Sequence, residues 1–242
     1  MNYIKSFIDE RNEQYKKHSF IRFLQDTRIP ALDRLSYIPY GLYFVMTFAD
    51  INALLLPEEN TDTPLQTMIN IHGQEDSKHW AWFLQDIHTL GYNISFSFVE
   101  AAKFIWSKDA IRTRLFCYKL AQLCLNADAL QKLVIIESIE KMGNVWLDNT
   151  VAIAKEAGLQ DKLVYLGQYH LDREVGHAIG TSEKDIKKIS LPEASRANAI
   201  KIVTEIYAGM EGFNQDLLER ATKGYKKFHT KTIKQEEYDV IS

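Results

Sequence analysis

The sequence predicts an all-α protein, a single-domain helix bundle of about seven to eight helices. Apolar residues recur at helical intervals along nearly the whole chain, and no stretch shows the strict alternation of a half-buried strand. Proline and glycine are sparse, 5 and 11 in 242 residues. Helix-start signals of the form Ser/Thr-x-x-Glu/Gln precede apolar runs at Thr63-Pro64-Leu65-Gln66, Ser97-Phe98-Val99-Glu100 and Ser190-Leu191-Pro192-Glu193.

Taken in order, residues 2–26 read as a helix with Asp9, Glu10, Arg11 and Glu13 on its charged face, broken by Arg28-Ile29-Pro30. Residues 31–56 read as a mostly buried helix kinked at Pro39. Its apolar run from Tyr37 to Leu56 is interrupted by Pro39, Asp50 and Asn52, which favours a core helix over a membrane span. After a polar loop, the Thr63 cap, with Pro64 at the first helical position, opens a helix to about Leu90 that ends at Gly91. A short helix to about Ser107 and another over 109–126 follow. Residues 128–157 form a long helix, apolar around most of its circumference and stopped by Gly158; its remaining stripe carries Glu137, Glu140, Lys141, Asn144 and Asp148. Further helices are predicted over 161–180 and from Ser190 to about residue 227. No repeat, low-complexity tract or linker divides the chain, so residues 1–228 read as one domain and 229–242 as a polar, frayed tail.

Composition narrows the function. The 46% hydrophobic and 25% charged content is that of a soluble globular protein, and a net charge of −3 lacks the basic footprint of a nucleic-acid binder. Cys117 and Cys124 share one predicted helix, about 10 Å apart along its axis, too far for a disulfide. The opening Met1-Asn2-Tyr3-Ile4-Lys5 is no signal peptide, and the expected compartment is the cytoplasm. A homodimer is the default expectation for such a protein.

The informative residues lie in two segments, Ile71 to Trp80 and Tyr169 to His177. At about 100° per residue, His72, Asp76 and His79 share one stripe with Leu65, Met68, Ile69, Phe83, Ile87 and Leu90, with Glu75 at its edge. His170, Glu174 and His177 likewise share a face, opposite a wet flank of Gln168, Asp172 and Arg173. A lone histidine on an apolar face is usually a satisfied core residue; two such triplets, each with a carboxylate, point to a cation held between helices. The long helix offers Glu137 or Glu140 as a further ligand, although Lys141 is spaced to pair with Glu137. The candidate metal ligands are therefore His72, Glu75 or Asp76, His79, Glu137 or Glu140, His170, Glu174 and His177.

The order of these segments resembles the haem-oxygenase-like di-iron oxidase and oxygenase superfamily, related in fold to TenA and to the pyrroloquinoline-quinone synthase PqqC. His170-Leu-Asp-Arg-Glu174-Val-Gly-His177 matches that superfamily's His-x3-Asp/Glu-x2-His element, with Glu in place of the usual Asp. His79 fits the histidine of its first ligand helix, and Glu137 or Glu140 its middle glutamate. The first helix departs from the pattern: His72 stands where a glutamate is usual, seven residues before His79. The resemblance spans roughly residues 60–220. It implies a haem-oxygenase-like fold and a cytoplasmic oxidoreductase with two iron ions per chain, manganese or a single metal being variants of that centre. It also implies O2 and a small organic molecule as substrates, with no nucleic-acid or membrane partner. Tyr165, Tyr169 and Trp80 lie near the motifs as pocket or packing residues.

Other readings share the fold. A TenA-like hydrolase without cofactor would use a cysteine nucleophile, but no base stands at helical spacing from Cys117 or Cys124. Haem binding would need a proximal histidine on the first helix, where only His18 is available, with Gly209 and Gly212 allowing close approach to the haem face. A non-catalytic helical binding protein would hold the same histidines and carboxylates as a buried polar network.

Overall fold

The computed structural model describes residues 1–176 and 192–229; of Val175, Gly176 and residues 224–229 it describes the backbone alone. All regular structure among the described residues is helical. The centre is the long helix α9, Ala129–Glu156, in chain order after α1 (Asn2–Tyr15), α2 (Ser19–Gln25), α3 (Ala31–Arg34), α4 (Leu42–Asp50), α5 (Pro64–Asp76), α6 (Trp80–Thr89), α7 (Phe98–Ile105) and α8 (Ile111–Leu125). It is followed by α10 (Gln168–Gly176) and α11 (Glu193–His229).

Helix α9 starts at a reciprocal capping box: Asp128 accepts from the Gln131 N–H, and the Gln131 side chain accepts from the Asp128 N–H. Its buried residues, among them Leu133, Val134, Ile135, Ile136, Ile139 and Met142, run around most of the helix. A helix apolar on all sides must be enclosed, and α9 packs against α1, α2, α3, α5, α8, α10 and α11. Helix α11 lies along α8 and α9. An aromatic stack of Phe44, Phe116 and Phe213, with ring centroids 5.7 and 4.6 Å from Phe44, ties α4, α8 and α11 together.

Four expected helices are shorter or broken, each for a local reason. Residues 2–26 divide at His18, whose Nδ1 accepts from the Phe20 N–H and caps α2. That cap gives His18 a structural task and leaves no support for it as a haem ligand. Pro39, which lacks an N–H, sits in a 3₁₀ turn over Ile38–Gly41, and α4 then widens into a π turn over Ile51–Leu55. Residues 31–55 are long and apolar enough to cross a membrane by length and composition, but they are broken and supply Ile38, Phe44, Val45 and Ile51 to the core on their way. The helix expected from Thr63 to Leu90 is interrupted between Asp76 and Trp80. Helix α10 starts only at Gln168; residues 177–191, which include His177 and the Ser190 cap, lie outside the described residues. Lys141 pairs with Asp9 at 2.7 Å and Glu137 with Lys5 at 3.5 Å, in place of the expected Lys141–Glu137 pair.

Two glycines permit close helix approach. A Cβ on Gly73 would lie 2.5 Å from the Asn52 carbonyl oxygen, so α5 can rest directly on the π turn. A Cβ on Gly209 would lie 2.2 Å from the Phe116 ring. Gly209 thus serves the α8–α11 packing, which accounts for it without a haem. Gly209→Ala is expected to cost about 1–3 kcal/mol in urea unfolding through overpacking. Gly143→Ala, which meets nothing within 4 Å, should stabilise by about 0.5–1 kcal/mol through helix propensity. Equal effects at the two positions would refute this account of the crossing.

Candidate metal centre

Six side chains from α5, the α5–α6 turn, α9 and α10 converge beside the middle of α9. His72 and Asp76 are one helical turn apart on α5, and both are buried. The break after Asp76 sets His79. There the His79 N–H donates to the Asp76 carbonyl at 3.1 Å, and the Trp82 N–H donates to the His79 carbonyl at 3.0 Å. This i→i−3 bonding tightens the turn, and residues three apart then eclipse, which keeps His79 over Asp76. Glu140 comes from α9, and His170 and Glu174, four apart, from α10.

The donor atoms form two groups. In one, His72 Nε2 lies 3.2 Å from Asp76 Oδ2 and 3.8 Å from Glu140 Oε1. In the other, Glu174 Oε1 lies 2.8 Å from His170 Nε2 and 3.6 Å from His79 Nδ1. Within each group the donors lie within 4.8 Å of one another. The groups join through Asp76, whose second oxygen, Oδ1, is 3.9 Å from His79 Nδ1, and through Glu140, hydrogen-bonded to Glu174. Two ligands about 2.1 Å from one ion at near-tetrahedral or octahedral angles are about 3.0–3.4 Å apart; the observed spacings of 2.8 to 3.9 Å bracket that range, so each group could close on an ion with shifts of a few tenths of an ångström. Three imidazoles and three carboxylates form the mixed nitrogen and oxygen donor set used by iron, manganese and zinc. The residues present fit such ions.

The electrostatics also favour a cation. Burial pushes the Asp76 carboxyl well above the usual range, and the charges of Glu174 and Glu75 push it further. Burial does the same to Glu140, with Glu174 and Asp76 adding to it. Burial acts upward on Glu174 too, but hydrogen bonds from His170 and Glu140 and the charge of His79 outweigh it, and its carboxyl is lowered. Within the cluster Asp76 and Glu140 are thus pushed toward holding a proton and Glu174 toward losing one.

A second layer fixes His170. Its Nδ1 donates to the Tyr165 carbonyl at 2.8 Å, which orients the ring so that Nε2 points at Glu174, 2.8 Å away. The loop carrying that carbonyl hangs on Asp86, which is fully buried and accepts from the Val164 and Leu166 N–H groups at 2.7 and 2.8 Å. Asp86 escaped sequence reasoning. Its one signal is an acid on the apolar face of α6, three residues after Phe83.

Glu75 falls on the exposed side of α5, close enough to Asp76 for its charge to be felt there. Glu137, one turn before Glu140, is turned toward Lys5 of α1. His177 lies outside the described residues. Trp80 and Tyr165 line a cavity of about 90 Å³ that touches five of the six donors, all but His72. Its walls are largely apolar, with Phe44, Phe48, Phe83, Ile139, Met210 and Phe213 among them. Tyr169 stands apart and exposed, against Trp82 and beneath Arg173. Both cysteines are buried, and burial pushes each thiol up to about 12, so neither is a thiolate nucleophile at neutral pH.

No family model and no curated protein matches the chain. Among solved structures, a crystal structure of a domain of unknown function with a haem oxygenase-like fold from Shewanella denitrificans OS217 matches with a TM-score of 0.65. The match has 14% sequence identity and covers 98% of this chain and 96% of that one. The chain has a haem-oxygenase-like fold.

The raised carboxyls of Asp76 and Glu140 have a consequence for the metal-free protein. A carboxyl raised on folding binds its proton more tightly folded than unfolded, so its stabilisation is complete below the unfolded value and is lost as pH rises through the folded one. Glu174 acts oppositely, but its window lies below about pH 4.5. Thermal unfolding of chelator-treated protein should therefore show a melting temperature that falls from about pH 5 to neutrality. Glu140→Gln should flatten that slope and raise the neutral-pH melting temperature by about 2–4 °C per kcal/mol relieved, while weakening metal uptake. A variant less stable than wild type at neutral pH would contradict this.

Proposed function

We propose that the chain is a non-haem di-iron oxidoreductase that uses O2 to oxidise a small organic substrate held in the cavity beside the six donors. The observation that supports this most directly is the arrangement of two imidazole–carboxylate groups around a shared Asp76. His72, Asp76 and Glu140 would hold one ion, and His79, His170 and Glu174 the other, with manganese or a single ion as variants of the same site. Iron bound there would supply the redox chemistry that converts O2 into an oxidant.

The chain's own residues do the rest. Tyr165 orients the His170 ring through its carbonyl, and its phenol lines the cavity beside the donors. Burial, then the charges of Glu174, Asp76 and Glu140, push that phenol far up, so it stays a hydroxyl able to donate to a bound molecule. Phe44, Phe48, Phe83 and Phe213 exclude water and favour a small substrate that is apolar where it meets them. Burial and the neighbouring carboxylates push Glu140 up, so metal loading would draw a proton off the carboxylate cluster. A cysteine hydrolase on this fold is disfavoured by the two buried, protonated thiols.

Anaerobic loading with Fe(II) followed by removal of free metal should leave about two iron atoms per chain, and exposure to air should change the absorption spectrum. His170→Ala should retain about one or fewer, and Asp76→Asn should weaken both sites because its oxygens face both histidine groups. Replacing both cysteines by serine should leave iron content unchanged. Wild-type protein that takes up no metal above the level of His170→Ala would refute the proposal.

A further inference from the structure

Helix α8 is apolar on two sides. Inward it buries Phe116, Cys117, Leu120 and Cys124. Its exposed positions are 111, 115, 118, 122 and 125, spaced four, three, four and three, which is one straight stripe along the whole helix. A surface helix keeps that stripe polar. Here four of its five residues are Ile111, Leu115, Tyr118 and Leu125, exposed by 45, 57, 50 and 68%. Trp106, 59% exposed, extends the stripe beyond the N-terminus of α8, held there under the Arg114 guanidinium at 5.0 Å.

We propose that this stripe is the two-fold contact of a homodimer, in which α8 packs antiparallel against α8 of a second copy. With residue areas of about 150–250 Å², the exposures sum to roughly 500 Å² of apolar surface. A standard interface buries about 800 Å² per partner, about 65% of it apolar in homodimers, so the stripe alone supplies what a dimer core needs. Its 3.5-residue spacing is that of a helix–helix seam. Tyr118 lies midway between Ile111 and Leu125, so a two-fold axis through Tyr118 sets Ile111 of each copy against Leu125 of the other.

A membrane surface fits less well, because the cations along α8 are engaged within the chain. Arg112 pairs with Asp216 at 2.6 Å and Glu219 at 2.7 Å, Lys119 pairs with Glu205 at 3.6 Å, and Arg114 donates to the Ser107 carbonyl at 2.7 Å. They are not available to attract anionic headgroups. The inference does not depend on the metal centre.

Sedimentation velocity of the full chain at tens of micromolar should give twice the chain mass. Leu115→Glu should shift it to monomer without changing its helical circular dichroism. Independently, Tyr118→Cys should form an interchain disulfide under mild oxidation, since the native thiols are buried, whereas Ile111→Cys should not. A monomeric wild type, a Tyr118→Cys chain that does not cross-link, or capture of monomer by phosphatidylserine vesicles would each overturn the proposal.

Discussion

Glu140 lies in hydrogen-bond contact with both Asp76 and Glu174 inside the bundle, and that crowding of negative groups is the constraint on which the candidate site depends. Carboxylates this close and this dry repel one another and lack the water that would stabilise their charge. Protons or a cation would relieve the conflict. The three imidazoles stand around the cluster with ring nitrogens toward its oxygens. His170 has its outer nitrogen occupied by a carbonyl, and Nδ1 of His79 and Nε2 of His72 face carboxylate oxygens. A network evolved only to fill a core would be expected to neutralise such a cluster directly, and replacing buried ionic groups by apolar ones is often stabilising.

The supporting structure explains why the cluster keeps its shape. The α5–α6 break tightens the chain over three residues, which places His79 above Asp76 where a continuous α-helix would leave it about 60° short of a full turn. Gly73 brings α5 onto the π turn, and Asp86 holds the loop ahead of α10 by its backbone N–H groups. Each device acts on backbone position. That is what a site tolerating errors of only about half an ångström requires. The cavity beside it is walled by side chains of α4, α6, α9 and α11, so the helices that form the core also shape the space for a substrate.

The all-helical class, the long central helix and the pairing of His72, Asp76 and His79 with His170 and Glu174 were legible in the amino-acid order. All of them follow from periodicity, which depends on neighbours within two turns. The breaks at His18 and between Asp76 and Trp80 were not, because apolar spacing barely changes when a helix tightens for one turn. Asp86 was overlooked for a related reason: an acid on an apolar face signals burial, while its partners Val164 and Leu166 lie some eighty residues away.

By itself the sequence determined that imidazoles and carboxylates would occupy core-facing stripes, since one residue's placement on a helix sets its neighbours' directions. Only the tertiary structure decided between Asp76 and Glu75, and between Glu140 and Glu137. Each pair differs by one residue or one turn, and the choice turns on what packs opposite. Glu137 faces Lys5 of α1, α10 meets Glu140, and Glu75 lies on the exposed side of α5. The direction of a side chain is local; the charge that waits for it across the interior is not.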